Sequence, residues 1–116
     1  MTMDSMQNVL YKVYGAFSPA TELAMPVIRT AGEGMIPSSD AWLFFEGDML
    51  RISWEGLYFP LEEMVQALQE VLPEAATGKL DYIDLEEWKL NRFEFANGNC
   101  KTSSRSLNHV LDYSGH

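Results

Sequence analysis

The chain has 116 residues, of which 47% are hydrophobic and 22% are charged, and this length and composition predict one globular domain over residues 1–116. Its formal net charge of −9 opposes binding to nucleic acid and to anionic membranes, because both attract proteins rich in Lys and Arg. The only cysteine can form no internal disulfide, which favours a cytoplasmic location.

The amino terminus lacks a basic region followed by a long apolar run, so no secretory signal is predicted. We expect about the first five residues to form a flexible leader. An apolar stripe at helical spacing over residues 6–17 predicts a first helix, capped by Asp4 or Ser5 and ended by Ser18-Pro19. A second, short helix is predicted over residues 20–24, with Pro26 interrupting the pattern.

After a loop over residues 31–40, residues 41–60 are predicted to form a three-stranded meander. Gly47-Asp48 suits a two-residue hairpin turn, and Glu55-Gly56 would make a second turn that keeps the same face apolar. The first turn predicts three facing pairs: Phe45 with Leu50, Leu43 with Ile52, and Ala41 with Trp54.

The clearest helix signal covers residues 61–72. Pro60 suits the start of a helix, and Glu62 and Glu63 lie in the first turn, where the helix dipole favours anions. Pro73 ends the pattern.

The C-terminal third contains the strongest hairpin signal, Asn97-Gly98. Upstream of it, the apolar parity changes near Glu86-Glu87, which indicates a bulge or a break between strands. A last short helix is predicted over residues 106–113. The hairpin predicts three facing pairs: Phe95 with Cys100, Phe93 with Thr102, and Glu94 with Lys101.

These elements predict an α+β fold. It consists of a mostly antiparallel sheet, made of the three-stranded meander and a C-terminal hairpin, packed with about three helices.

One face of the predicted meander is unusually rich in large side chains for a solvated surface. Trp, Tyr, Phe and Met are enriched at protein interfaces. Either the first helix or the C-terminal strands cover this face, or a partner does, and a homodimer is the simplest partner. The candidate interface residues are Trp42, Phe44, Met49 and Tyr58.

A second candidate is an anion site made by Lys101, Ser104 and Arg105, just before the predicted last helix. Backbone N–H groups at a helix start can hold a phosphate or a carboxylate. The structural interpretation is a hairpin arm followed by a serine cap.

The rare residues at the carboxyl end resemble a thiol or metal site only superficially. Cys100 is expected to face Phe95 as an inert thiol, and His109 points away from the apolar face of the predicted last helix. Asp112 and the terminal His116 complete no familiar ligand spacing, so no metal site, catalytic residue or cofactor is predicted.

Taken together, the sequence predicts a non-enzymatic cytoplasmic protein-interaction or regulatory domain. The alternative is a binder or enzyme for a small anionic ligand that uses the Lys101/Arg105 region. A third hypothesis, an acidic mimic of nucleic acid, would require the negative charge to lie along one surface.

Overall fold

The computed structural model describes residues 9–33 and 41–108, which form a six-stranded antiparallel sheet and two helices. The helices are α1 (Ala24–Ala31) and α2 (Leu61–Val71). The strands are β1 (Tyr11–Ser18), β2 (Leu43–Glu46), β3 (Met49–Gly56), β4 (Thr77–Asp84), β5 (Lys89–Ala96) and β6 (Asn99–Ser106).

The strands lie in the order β2-β3-β1-β4-β5-β6. The first strand in sequence is therefore central, because β1 pairs with β3 on one side and with β4 on the other. The hairpins β2-β3 and β4-β5-β6 extend the sheet outward from these neighbours.

Both helices contribute to a core on one side of the sheet. Alternate residues along each strand point to the same face, and those of the central strands are buried together with side chains of α1 and α2. The fully buried members include Val13, Phe17, Ile28, Leu50, Met64, Leu68 and Leu80. We call this side of the sheet the helix side and the opposite side the open face.

The predicted fold class is wrong in its details, since one continuous six-stranded sheet replaces the separate meander and hairpin. The described residues contain two helices rather than about three. The α+β class itself agrees with the structure.

The largest error concerns residues 11–18, which form β1 and not the end of a helix. Val13 and Phe17 fit both a helical stripe and a strand alternation, because the residue between them on the same strand face is Gly15, which hides the period of two. Pairing with β3 and β4 on both sides stabilises the extended form.

The second helix is not where it was predicted: of residues 20–24 only Ala24 is helical, and α1 continues from there to Ala31. Pro26 is its third residue rather than its interruption, because N–H groups in the first turn have no partner within the helix. The carbonyl of Pro26 accepts a hydrogen bond from Thr30 Oγ1 at 2.8 Å.

The second turn of the predicted meander is also wrong. β3 continues through Glu55 and Gly56 and pairs with β1 along this length. The expected Ala41–Trp54 pair is absent, since β2 begins only at Leu43, although the Ser53 N–H donates to the Trp42 carbonyl in the same register.

Local signals are confirmed elsewhere. The Gly47-Asp48 turn has the predicted register, and Gly47 has the positive φ of +64° that a type II′ turn requires. At the other hairpin, Asn97 and Gly98 both have positive φ, and all three predicted pairs form. The helix predicted over residues 61–72 corresponds to α2.

The break near Glu86-Glu87 is the loop between β4 and β5. Three expectations fall wholly or mostly outside the described residues: the amino-terminal leader, the loop over residues 31–40 and the last helix. Among the described residues, no helix is long and apolar enough to cross a membrane.

Candidate interaction surface

The open face gathers most of the positive charge of the chain. By register, six of the eight Lys and Arg residues project from it, namely Lys12, Arg51, Lys79, Arg92, Lys101 and Arg105. Four acids share the face, namely Glu46, Glu55, Asp81 and Glu94. The open face therefore has a net charge of +2.

The rest of the described chain is strongly acidic. It carries ten Asp and Glu residues against two cations, Arg29 and Lys89, which gives a net charge of −8. The acids of α2 include Glu62, Glu63 and Glu70, all exposed on the helix side. The fold thus separates the charges of an acidic chain into a net positive open face and a net negative remainder.

One ion pair orders the middle of the open face. Arg92 binds Asp81 of the neighbouring strand with two hydrogen bonds, from Nε at 2.7 Å and from Nη2 at 3.0 Å. The hydrogen bonds that Arg92 donates to the Asp81 carboxylate raise the pKa of the Arg92 guanidinium. This bidentate pair links the side chains of β4 and β5.

A second ion pair lies on the open face near β2. It joins Arg51 and Glu46, whose Nη1 and Oε1 atoms are 2.6 Å apart. Next to them, the Tyr14 hydroxyl donates to Glu55 at 3.0 Å. Burial, followed by this hydrogen bond, raises the pKa of Tyr14.

The aromatic candidates do not form one patch. Trp42 is 3% exposed and belongs to the core, so the chain itself covers this side chain. Phe44 and Met49 are half-buried on the open face beside Arg51. Tyr58 is 53% exposed after the end of β3.

Tyr58 lies instead near a pair of tyrosines on the helix side. Tyr11 and Tyr82 stack there with ring centroids 5.2 Å apart. Burial, with smaller effects from Tyr11, Asp84 and Tyr58, raises the pKa of Tyr82 to about 12.

The three residues of the predicted anion site do not converge. Lys101, Ser104 and Arg105 all lie on β6, but Ser104 points to the helix side while the two cations point to the open face. Four residues of extended strand separate the cations by about 13 Å. One small anion would not contact both of them.

The thiol lies where the hairpin register places it. Cys100 faces Phe95 on the helix side, and partial burial raises the pKa of its thiol. His109, Asp112 and His116 lie outside the described residues. Within 9–33 and 41–108, no three His, Cys, Asp or Glu side chains group as a metal site would require.

The acidic pairs have local structural roles. Glu62 and Glu63 lie in the first turn of α2. In the β4-β5 loop, the backbone N–H groups of Glu86 and Glu87 donate to Asp84 Oδ1 at 3.0 and 2.9 Å.

The nearly neutral charge of residues 79–116 indicates a small positive patch in the C-terminal third, but not the shared face on which its cations join Lys12 and Arg51. The signal for that face was present in β6, where Lys101 and Arg105 are an even number of residues apart and so share a face. The contribution of Lys12 and Arg51 depends on the β3-β1-β4 pairing, which no local pattern indicates.

The chain has no significant match among protein-family models, curated proteins or solved structures.

Proposed function

We propose that this protein is a non-enzymatic, cytoplasmic protein-interaction domain that binds an acidic protein surface on its open face. The observation that carries the proposal is the charge separation: a net charge of +2 on the open face against −8 on the rest of the described residues. Complementary charge accelerates encounter and selects partners.

A protein partner suits this face better than nucleic acid or a membrane. Phosphate polymers need a dense run of cations, whereas Asp81 and Glu94 interrupt this one. Tyr14, Phe44 and Met49 add the aromatic and sulfur-containing side chains typical of protein interfaces.

A second copy of the chain is a less suitable partner for a contact between two open faces. A two-fold contact would place the same net positive surface on both sides. The homodimer expected from the sequence therefore receives less support than a different, acidic partner.

The alternative function, a small-anion binder or enzyme at Lys101 and Arg105, also receives less support. The separation of about 13 Å along one strand suits an extended chain of carboxylates rather than a single phosphate.

Two matched lysines test the proposal. Lys79 projects from the open face and Lys89 from the helix side, both are exposed, and each substitution by Glu changes the net charge equally. With polyglutamate as the probe at low salt, we expect Lys79→Glu to bind about fivefold more weakly and Lys89→Glu to bind within about twofold of the unmodified protein. Equal losses would show that only net charge matters and would contradict the proposal.

Light scattering tests the competing self-association. We expect a monomer of 13.2 kDa. A dimer that is abolished by Phe44→Glu, with circular dichroism unchanged, would instead identify the open face as a self-association surface.

A further inference from the structure

The outer side of β6 presents an eight-residue strand edge. Seven of its eight residues are exposed, and only Cys100 is half-buried. At the other end of the sheet, β2 has only four residues. β6 is therefore the longer of the two edges for a further strand.

The hydrogen-bond pattern identifies which backbone groups face outward. The Leu107 N–H donates to the Trp88 carbonyl at 2.9 Å, so the odd-numbered residues of β6 bond to β5. The N–H and C=O groups that point away from β5 are those of Cys100, Thr102, Ser104 and Ser106.

Two cationic side chains on β6 would favour an added strand that carries negative charge. Lys101 and Arg105 project from the open-face side with Ser103 between them. Neither cation forms an ion pair within residues 9–33 and 41–108. In an added antiparallel strand, the residues opposite them would be in non-hydrogen-bonded pairs, where side chains approach most closely.

We propose that an extended acidic segment of a partner protein adds to β6 as a seventh, antiparallel strand, with Asp or Glu at two positions four residues apart opposite Lys101 and Arg105. This inference rests on the proposed function and states how the acidic partner is bound. Backbone hydrogen bonds supply affinity that is independent of sequence, and the two cations select the acidic partner.

The same edge disfavours a second copy of the chain. The fullest antiparallel pairing of β6 with itself is centred on Ser103 and places Lys101 opposite Arg105 of the other copy. Directly facing like charges are destabilising. Cations on a strand edge oppose pairing with other strands in general. They still favour pairing with a strand that carries acidic side chains.

Hydrogen exchange tests the backbone geometry directly. The probe is an eight-residue peptide that alternates Glu and Thr, and its control alternates Lys and Thr. With the Glu peptide, we expect the amides of Cys100, Thr102, Ser104 and Ser106 to become protected, while those of Lys101, Ser103 and Arg105, already bonded to β5, change little. Binding without this alternation would overturn the proposal.

A substitution pair tests the same edge by affinity. Ser104→Pro removes one outward N–H without removing a β5-β6 hydrogen bond, whereas Ser104→Ala keeps that outward N–H. We expect Ser104→Pro to weaken binding of the Glu peptide at least tenfold and Ser104→Ala to leave it within about twofold. Thr102→Pro offers the same test if Ser104→Pro unfolds.

The outcomes separate the two proposals. If Lys79→Glu weakens binding but neither proline variant does, strand addition is wrong and the open-face function stands. If neither the lysine nor the proline substitutions affect binding, both proposals fail. If the Lys peptide protects the same amides as strongly as the Glu peptide, the charge selection assigned to Lys101 and Arg105 is wrong.

Discussion

Arg92 donates two hydrogen bonds, of 2.7 and 3.0 Å, to Asp81 across β4 and β5, in the middle of the open face. The side chains are 32% and 20% exposed, so water screens this pair less than the Arg51–Glu46 pair, at 42% and 59%. The Arg92–Asp81 hydrogen bonds therefore fix the positions of one positive and one negative charge on the open face.

This difference between the pairs predicts their contributions to stability. Asp81→Asn should lower the free energy of unfolding by about 1–2 kcal/mol, because it leaves a half-buried guanidinium without its carboxylate. Glu46→Gln, at an exposed pair, should cost less than about 0.5 kcal/mol. Urea denaturation measures both, and equal losses would contradict the distinction.

Two aromatic residues two positions apart should respond very differently to truncation. Trp42 is buried in the core and Phe44 is half-buried on the open face. Trp42→Ala should lower the free energy of unfolding by about 3–5 kcal/mol. Phe44→Ala should lower the free energy of unfolding by about 1 kcal/mol, because this substitution removes less buried apolar area than Trp42→Ala does. A smaller loss for Trp42→Ala than for Phe44→Ala, in the same denaturant series, would place Trp42 outside the core.

Gly78 of β4 is required by the close approach of β1. A Cβ atom at this position would overlap the Ala16 carbonyl oxygen and lie 2.7 Å from the Phe17 Cα. Because both obstacles are backbone atoms, Gly78→Ala should cost about 3 kcal/mol. The control is Gly47→Ala, where the Cβ meets no atom within 4 Å and only the φ of +64° opposes it. That variant should cost about 1–2 kcal/mol in thermal or urea denaturation.

Tyr82 predicts a loss of stability at high pH. Its pKa rises from 10.0 to about 12 in the folded chain, chiefly through burial. The unfolded chain therefore releases the phenol proton first, and stability present below pH 10 is lost as the pH rises through 12. Tyr82→Phe should reduce this loss, as measured by urea denaturation across that range, with tyrosinate absorbance reporting the titration. A loss of equal size in both proteins would assign it to other groups.

Prediction from the sequence succeeded where the controlling interactions span a few residues. Asn97-Gly98 determined the register of β5 and β6 because both residues accept positive φ. The apolar stripe and acidic first turn of α2 specified that helix for the same reason. The register of β2 and β3 separates Phe44 and Met49 from Leu43 and Phe45 as predicted, whereas Trp42, assigned to the face of Phe44, lies in the core.

Prediction failed where distant strands decide the outcome. Residues 11–18 are compatible with a helix when considered alone, and they become β1 because β3 and β4 satisfy its backbone groups on both sides. The burial of Trp42 follows from that same arrangement, which creates a core that no local pattern contains.

The sequence by itself determined the hairpin turns at Gly47-Asp48 and Asn97-Gly98, the position of α2 and the acidic balance, since turn chemistry, helical periodicity and composition act locally or by simple addition. Only the tertiary structure decided that six cations, spread from Lys12 to Arg105, share one face and that β6 presents a strand edge beside two of them. The physical reason is that antiparallel pairing aligns side chains from distant parts of the chain on a common face, and the strand order determines which backbone groups are left for a partner.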